Sequence, residues 1–379
     1  MNYKRIQAMA EEQPDKGQLQ IQVTSEQQNI PIEDATIDIS YSGDPEEILE
    51  QIRTNQNGQT ETLELNAPPL EYSMEPSENQ PYSEYTLKIT AAGYETLTIS
   101  GTEILPLQTA LQNIRMRSLA VNNPPDVIVI PAHTLYGEYP PKIAEAEIKP
   151  ITQTGEIVLN KVIIPEYIVV HDGSPMDSTA TNHYVKYRDY IKNVASSEIY
   201  ATWPKSTIIA NILAIQSFTL NRVYTEWYRN KGYNFTITSS TAFDQKWMRG
   251  RNYYASIEEA VDEVFDNYLS RPNVKQPILT QYCDGQRVSC PNWMTILQGR
   301  SNNTFNRKKL VHFLIAAYVR LLFFYFMIAS NPAFFNCTTN LSALALTVNT
   351  PSCTIHLPLD CFKIAGSPFA LIFFARLLA

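Results

Sequence analysis

The sequence predicts an α+β fold: an N-terminal β-sandwich, then a mixed α+β domain, then an anomalous hydrophobic C-terminal tail. Three observations carry this. Apolar and polar residues alternate at period two through residues 17–118; from about residue 185 the apolar spacing turns helical, with strands interleaved in no strict order; beyond residue 300 the composition shifts abruptly. A chain of 379 residues has room for two or three domains, and 18% charged with 44% hydrophobic residues is the balance of a folded protein.

Residues 1–16 are expected to be disordered, and "MNYKRIQAMAEEQPDKG" lacks the apolar core of a secretory signal peptide. Within 17–118, "GQLQIQVT", "ATIDISYS", "QTETLEL", "EYTLKIT" and "YETLTIS" read as strands. Asn57-Gly58, Pro68-Pro69 and Gly93 punctuate them as turns. One window, "DPEEILEQIRT", reads as a short helix with Asp44 as its N-cap. Residues 119–159 form a proline-rich connector, and a second domain is expected over 160–300.

In that second domain "YVKYRDYIKNVASSEI" has helical spacing, with Tyr184, Tyr187, Ile191 and Val194 on one face. Trp203-Pro204 breaks it. The segment from Lys205 is a long helix apolar on more than one face, with Ser206 or Thr207 as its cap and Gly232 as its stop. "YNFTITSS" reads as a strand, "SIEEAVDEVFDNYLS" as an acidic amphipathic helix and "QPILTQYC" as another strand.

A formal net charge of −8, with no basic stripe before the far C-terminus, argues against a nucleic-acid partner and leaves a glycan open. Five cysteines, at 283, 290, 337, 353 and 361, leave the N-terminal three-quarters free of any disulfide framework. Cys283 and Cys290 supply two thiolates where a structural zinc needs four ligands, so no metal is expected. His171-Asp172-Gly173-Ser174 holds the letters of a triad but reads as a polar turn, and no phosphate-cradling glycine loop or His-Glu-x-x-His motif is present.

Two resemblances add to this reading. Pro31-Ile32 with Ala35, Thr54 through Asn57-Gly58-Gln59-Thr60, and Tyr85 leading to Ala92-Gly93-Tyr94 resemble the transthyretin-like or carboxypeptidase-regulatory-like sandwich. That likeness implies a spacer or docking module without catalysis. Glu198 in "VASSEI", the Trp203-Pro204 break, the helix through Ala210, Asn211, Ala214, Ser217, Phe218 and Leu220, and "ITSSTAFDQKWMRG" resemble the SpoIID/LytB family over about residues 160–293. Gln216 stands where that family usually has arginine, and "CDGQRVSCPN" replaces its Gly-Gly and Ser.

The family resemblance implies lytic transglycosylation of peptide-free peptidoglycan glycan strands, without a cofactor. Ordinary glycosidases pair two carboxylates. A lytic transglycosylase uses the sugar's own 6-hydroxyl as nucleophile, so one acid, Glu198, suffices if burial keeps it protonated at the start. Asp189 and Glu226 are the rival acids, and both read as surface pairs. At the substrate the resemblance implies Trp203, Gln216, Ser217, Ser240, Gln245, Trp247 and Tyr282, the two tryptophans as stacking faces. A non-catalytic peptidoglycan-binding or amidase-stimulating module is the alternative. The cell envelope or the spore is the expected location.

In the tail, residues 301–379, a basic cluster precedes about 20 apolar residues, so membrane contact through 311–330 is one reading. Arg320 near its centre opposes insertion by about 3 kcal/mol. A buried extension and a tail foreign to the ancestral reading frame are the others.

Overall fold

The structure is a computed structural model. It describes residues 14–74, 79–119, 126–132, 135, 140, 143, 159, 161–271, 274–283, 294–295, 345–350 and 353–358. Two compact units divide the chain, Met1–Val311 and His312–Ala379.

The first unit opens with β1 (Asp15–Ser25), β2 (Thr36–Tyr41), β3 (Asp44–Arg53), β4 (Leu63–Ala67), a single helical turn α1 (Glu71–Met74), β5 (Ser83–Thr90), β6 (Leu97–Ile104), β7 (Thr109–Met116) and β8 (Asp126–Val129). Alternation puts Leu19, Ile21 and Val23 of β1 inside, as it does Ile37, Ile39, Leu87, Ile89 and Ile99 of β2, β5 and β6. Each such side chain contributes roughly 1.5–3 kcal/mol by leaving water. Gly58 and Gly93 take positive φ, +70° and +85°, as their turns require.

The window "DPEEILEQIRT" is strand β3, not a helix. It pairs antiparallel with β2 at the edge of a five-stranded sheet ordered β3-β2-β5-β6-β8. Asp44 faces Tyr41 across the hairpin instead of capping a helix. Residues 46–50 are exposed, so their helical spacing buries nothing, and ladder pairing with β2 decides the conformation. The glutamates on this edge also guard it against further strand addition. β8 falls within the stretch expected as connector; it adds to β6 in parallel, Leu97 opposite Asp126.

The remaining elements are β9 (Tyr167–His171), β10 (Asn182–Lys186), α2 (Tyr187–Glu198), α3 (Lys205–Tyr224), β11 (Ile237–Thr238), β12 (Tyr253–Tyr254), α4 (Ala255–Val264), β13 (Tyr282–Cys283) and β14 (Met294–Thr295). β9 is central in a small sheet, antiparallel to β10 and parallel to β11. Tyr184 lies in β10 and is 78% exposed, so the helix starts three residues later than its spacing suggested. No side chain caps α3; Pro204 is the N-cap residue, and its carbonyl accepts the N–H of Thr207 and Ile208 at 2.8 and 3.1 Å. Gly232, with φ +84°, closes a separate 3-10 turn, Arg229–Lys231, well beyond the end of α3.

The two halves of this unit share a sheet. β12 adds antiparallel to β7, Tyr253 opposite Leu111 and Tyr254 opposite Ala110, giving the order β12-β7-β1-β4. The acidic face of α4 meets the bases of its neighbours: Glu258 pairs with Lys192, Asp262 with Arg188, and Glu259 and Glu263 with Lys205. In the second unit, β15 (Ala345–Thr350) and β16 (Cys353–Pro358) form an antiparallel hairpin. Residues 311–330 lie outside the described residues. Among the described residues no helix is long and apolar enough to cross a membrane.

Candidate functional site around Glu198

Glu198 ends α2. Its neighbours Ser197 and Ile199 are buried, while Glu198 itself is half-buried. Ile199 turns extended, with φ −140° and ψ 155°, so the chain leaves the helix there. One carboxylate oxygen, Oε1, accepts the backbone N–H of Lys246 at 2.8 Å. That bond joins the "VASSEI" helix end to the "TAFDQKWMRG" loop, segments far apart in sequence.

Three further bonds clamp the same loop to α2. The Asn193 amide donates to Met248 O at 2.8 Å and accepts the Met248 N–H at 3.0 Å. Arg251 Nη2 donates to Ser196 O at 2.7 Å. A cation at the last carbonyls of a helix also complements its dipole. Burial pulls the Arg251 pKa down, but Glu103, Tyr254 and Tyr82 together more than offset this and the guanidinium ends above its ordinary range.

Beneath the loop lies a buried polar network. Gln245 is fully buried: its Oε1 accepts from Tyr190 Oη at 3.1 Å and Thr219 Oγ1 at 2.8 Å, and its Nε2 donates to Ile215 O at 3.0 Å. Burial, together with the nearby Asp244 and Glu198 charges, pushes the Tyr190 phenol well above its ordinary pKa. It therefore stays a neutral donor. Next to it Asp244 Oδ1 meets Arg222 Nε at 2.7 Å, both side chains without solvent exposure. Asp244 Oδ2 accepts from Tyr228 Oη at 2.6 Å, Thr238 N at 2.9 Å and Thr238 Oγ1 at 2.6 Å.

The same loop also meets β10 and the end of β9. Trp247 is largely buried and packs its ring on His183, centroids 5.2 Å apart. Asp172 accepts a hydrogen bond from Ser239 Oγ at 2.8 Å and lies 3.9 Å from His183 Nε2. Burial lowers the His183 pKa; Asp172 works against this and Arg249 with it. Ser240 is half-buried, and its carbonyl accepts the N–H groups of Phe243 and Asp244 at 3.1 and 2.7 Å.

The other residues expected at the substrate are held elsewhere. Gln216 is fully buried, and its Nε2 donates to the carbonyls of Phe265, at 2.6 Å, and Asn267 just past α4. Ser217 Oγ donates to Leu213 O at 2.6 Å and accepts the Leu269 N–H at 2.7 Å. Trp203 is buried with its indole N–H on Ser73 O of α1 at 2.9 Å. Tyr282 is in β13, and its side chain lies outside the described residues. Thus Glu198, Trp247, Ser240 and Gln245 are brought around one loop, whereas Trp203, Gln216 and Ser217 brace the scaffold.

Sequence reading missed Asn193, Arg251 and the Arg222–Asp244 pair, for which no local pattern exists. His171 is likewise structural: its ring nitrogens contact Asn182 Oδ1 at 2.8 Å and Ser174 O at 3.1 Å, and it stacks on Phe235. Of the rival acids, Glu226 lies 3.6 Å from Arg229. It borders a cavity of about 150 Å³ that also involves Tyr167, Arg222 and Phe235. Among the described residues no group of three or more His, Cys, Asp or Glu side chains could hold a metal ion.

Residues 176–270 match the SpoIID family model, Stage II sporulation protein. The SpoIID match takes in α2, α3, α4, Glu198 and the whole 239–252 loop. The chain matches no curated protein. Solved structures similar to part of it include the Bacillus anthracis TIE protein, at 18% identity over 28% of this chain and 17% of that one, TM-score 0.19. Another is 3-chlorocatechol 1,2-dioxygenase from Rhodococcus opacus 1CP, at 16% identity over 28% of this chain and 61% of that one, TM-score 0.20. Klebsiella pneumoniae 5-hydroxyisourate hydrolase is 20% identical over 27% of this chain and 87% of that one, TM-score 0.19.

Proposed function

We propose that this protein acts in sporulation or cell-wall remodelling, at the cell envelope or spore, as a lytic transglycosylase-like enzyme on peptide-free peptidoglycan strands. The observation that carries the reading is the Glu198–Lys246 hydrogen bond, which sets a half-buried acid at a helix end against the SpoIID loop. Trp247 and Ser240, both expected at the substrate, lie on the same loop as Lys246, Trp247 buried against His183 and Ser240 half-buried.

In the proposed reaction the protonated Glu198 carboxyl gives its proton to the glycosidic oxygen as the bond from the anomeric carbon breaks. The sugar's 6-hydroxyl oxygen bonds to that carbon, and its proton passes to the Glu198 carboxylate, restoring the acid. No water and no second carboxylate are consumed. The Lys246 N–H fixes Oε1, so that the carboxyl group keeps one orientation through both transfers.

The test is digestion of purified peptide-free strands by wild type and Glu198→Gln. Anhydro-sugar ends from wild type alone support the enzyme; equal product from both refutes Glu198 as its acid. One observation counts against the full catalytic arrangement and leaves the binding module as the second reading: Trp203, Gln216 and Ser217 are all engaged inside the scaffold. Equal strand binding by both proteins, with product from neither, would establish that module.

A further inference from the structure

We propose that Glu103, in the N-terminal sandwich, is a positioning residue for Glu198. This rests on the reading of Glu198 as the working acid. Glu103 Oε2 lies 2.7 Å from Arg251 Nη2 across the junction of sandwich and SpoIID segment, with both side chains 2% exposed. The same guanidinium nitrogen donates to Ser196 O at 2.7 Å, two residues before Glu198 in the last turn of α2. A continuous chain therefore runs from sandwich carboxylate to guanidinium to helix end.

The anchor at its far end is fixed. The Glu103 N–H donates to Asn252 Oδ1 at 3.0 Å, and the Glu103 carbonyl accepts from Asn252 Nδ2 at 2.9 Å. Tyr254 Oη also donates to that carbonyl, at 3.2 Å. β12 pairs with β7 of the sandwich sheet, so Tyr253 and Tyr254 cannot slide along β7 without breaking the ladder. The planar guanidinium then transmits this register to Ser196. The loop that supplies Lys246 N–H to Glu198 ends at the same Arg251. Both restraints on the acid thus converge on one residue, and Glu103 holds that residue in place. In this reading the sandwich is part of the site's framework, not a spacer.

The experiment uses the full chain carrying 13C-carboxyl glutamate, with the Glu198 signal assigned by its loss in Glu198→Gln. Glu103→Gln should move the Glu198 titration midpoint by about half a pH unit or more, and speed exchange of the Lys246 amide about tenfold. Where wild type turns over glycan, kcat should fall about tenfold with KM within about twofold. Tyr253→Phe removes one junction hydrogen bond, from Asn113 Nδ2 of β7 to Tyr253 Oη, without touching the guanidinium, and should leave all three readouts at wild type. Arg251→Lys retains the charge but gives up the bridging geometry, and should reproduce Glu103→Gln.

A wild-type midpoint and amide exchange in Glu103→Gln would overturn the proposal. So would equal shifts in Tyr253→Phe, or failure of both Glu103→Gln and Arg251→Lys to fold while Tyr253→Phe folds, because the pair would then serve folding alone. Titration and exchange need no turnover, so they fail or succeed separately from the assignment of Glu198 as catalyst.

Discussion

Replacing Asp244 with asparagine removes a charge from a fully enclosed ionic contact within the residues that match the SpoIID model. Arg222 and Asp244 are both without exposure at 2.7 Å, and the Arg222 guanidinium lies near the rings of Phe218, Trp227 and Tyr228. The cost of the substitution is set less by lost attraction than by the cation left behind. Breaking one side of a buried pair costs about 3–5 kcal/mol. At about 2–4 °C per kcal/mol this is a fall in Tm of roughly 6–20 °C. Urea unfolding followed by tryptophan fluorescence reads it directly, since Trp227 packs 5.2 Å from the guanidinium carbon. Arg222→Met should cost a similar amount, and Arg222→Met/Asp244→Asn much less than the two single losses together, because no buried charge remains and the asparagine still accepts from Tyr228 and Thr238. An Asp244→Asn loss under about 1 kcal/mol, the scale of an exposed pair, would refute the reasoning. A double variant whose loss equals the sum of the singles would refute it as well.

Other outcomes follow from single contacts. Gln216→Leu leaves the Phe265 and Asn267 carbonyls without their donor and should lose about 1–3 kcal/mol in urea unfolding, with glycan binding unchanged; weakened binding at unchanged stability would return Gln216 to the substrate. Gly250→Ala puts a Cβ 2.6 Å from Ile128 Cγ2 at a φ of +75°, and should cost more than about 1 kcal/mol, part of it recovered by Ile128→Ala in the same melt. Because the folded pKa of His183 lies below its unfolded value near 6.5, the unfolded chain binds its proton first as pH falls. Stability should therefore decline as pH drops through that value and level off below the folded pKa. His183→Gln should flatten this part of a Tm-against-pH curve, and an unchanged slope would count against it.

Much of the sandwich could be read from the chain because its strands face water on one side and the core on the other. The alternation of Leu19, Ile21 and Val23 is a local record of that burial. The strand at Asp44–Arg53 left no such record, since an exposed edge buries neither face and its spacing is unconstrained. The long helix was legible from its apolar surface, yet the roles of its polar residues were not. Gln216, Ser217 and Thr219 look alike as substrate donors and as partners for backbone groups, and only the neighbouring segments distinguish the two.

By itself the sequence determined the sandwich strands other than β3, β7 and β8, the helices α2 to α4, the turns at Gly58 and Gly93, and Glu198 as the acid of interest, because these depend on local spacing and on motif letters. Only the tertiary structure decided what surrounds that acid. Lys246 reaches it across 48 residues and Glu103 reaches Arg251 from the other half of the unit, contacts that no local period encodes. Hydrogen bonds and ion pairs of this kind form wherever folding brings a donor to an acceptor, and burial then makes them costly to break.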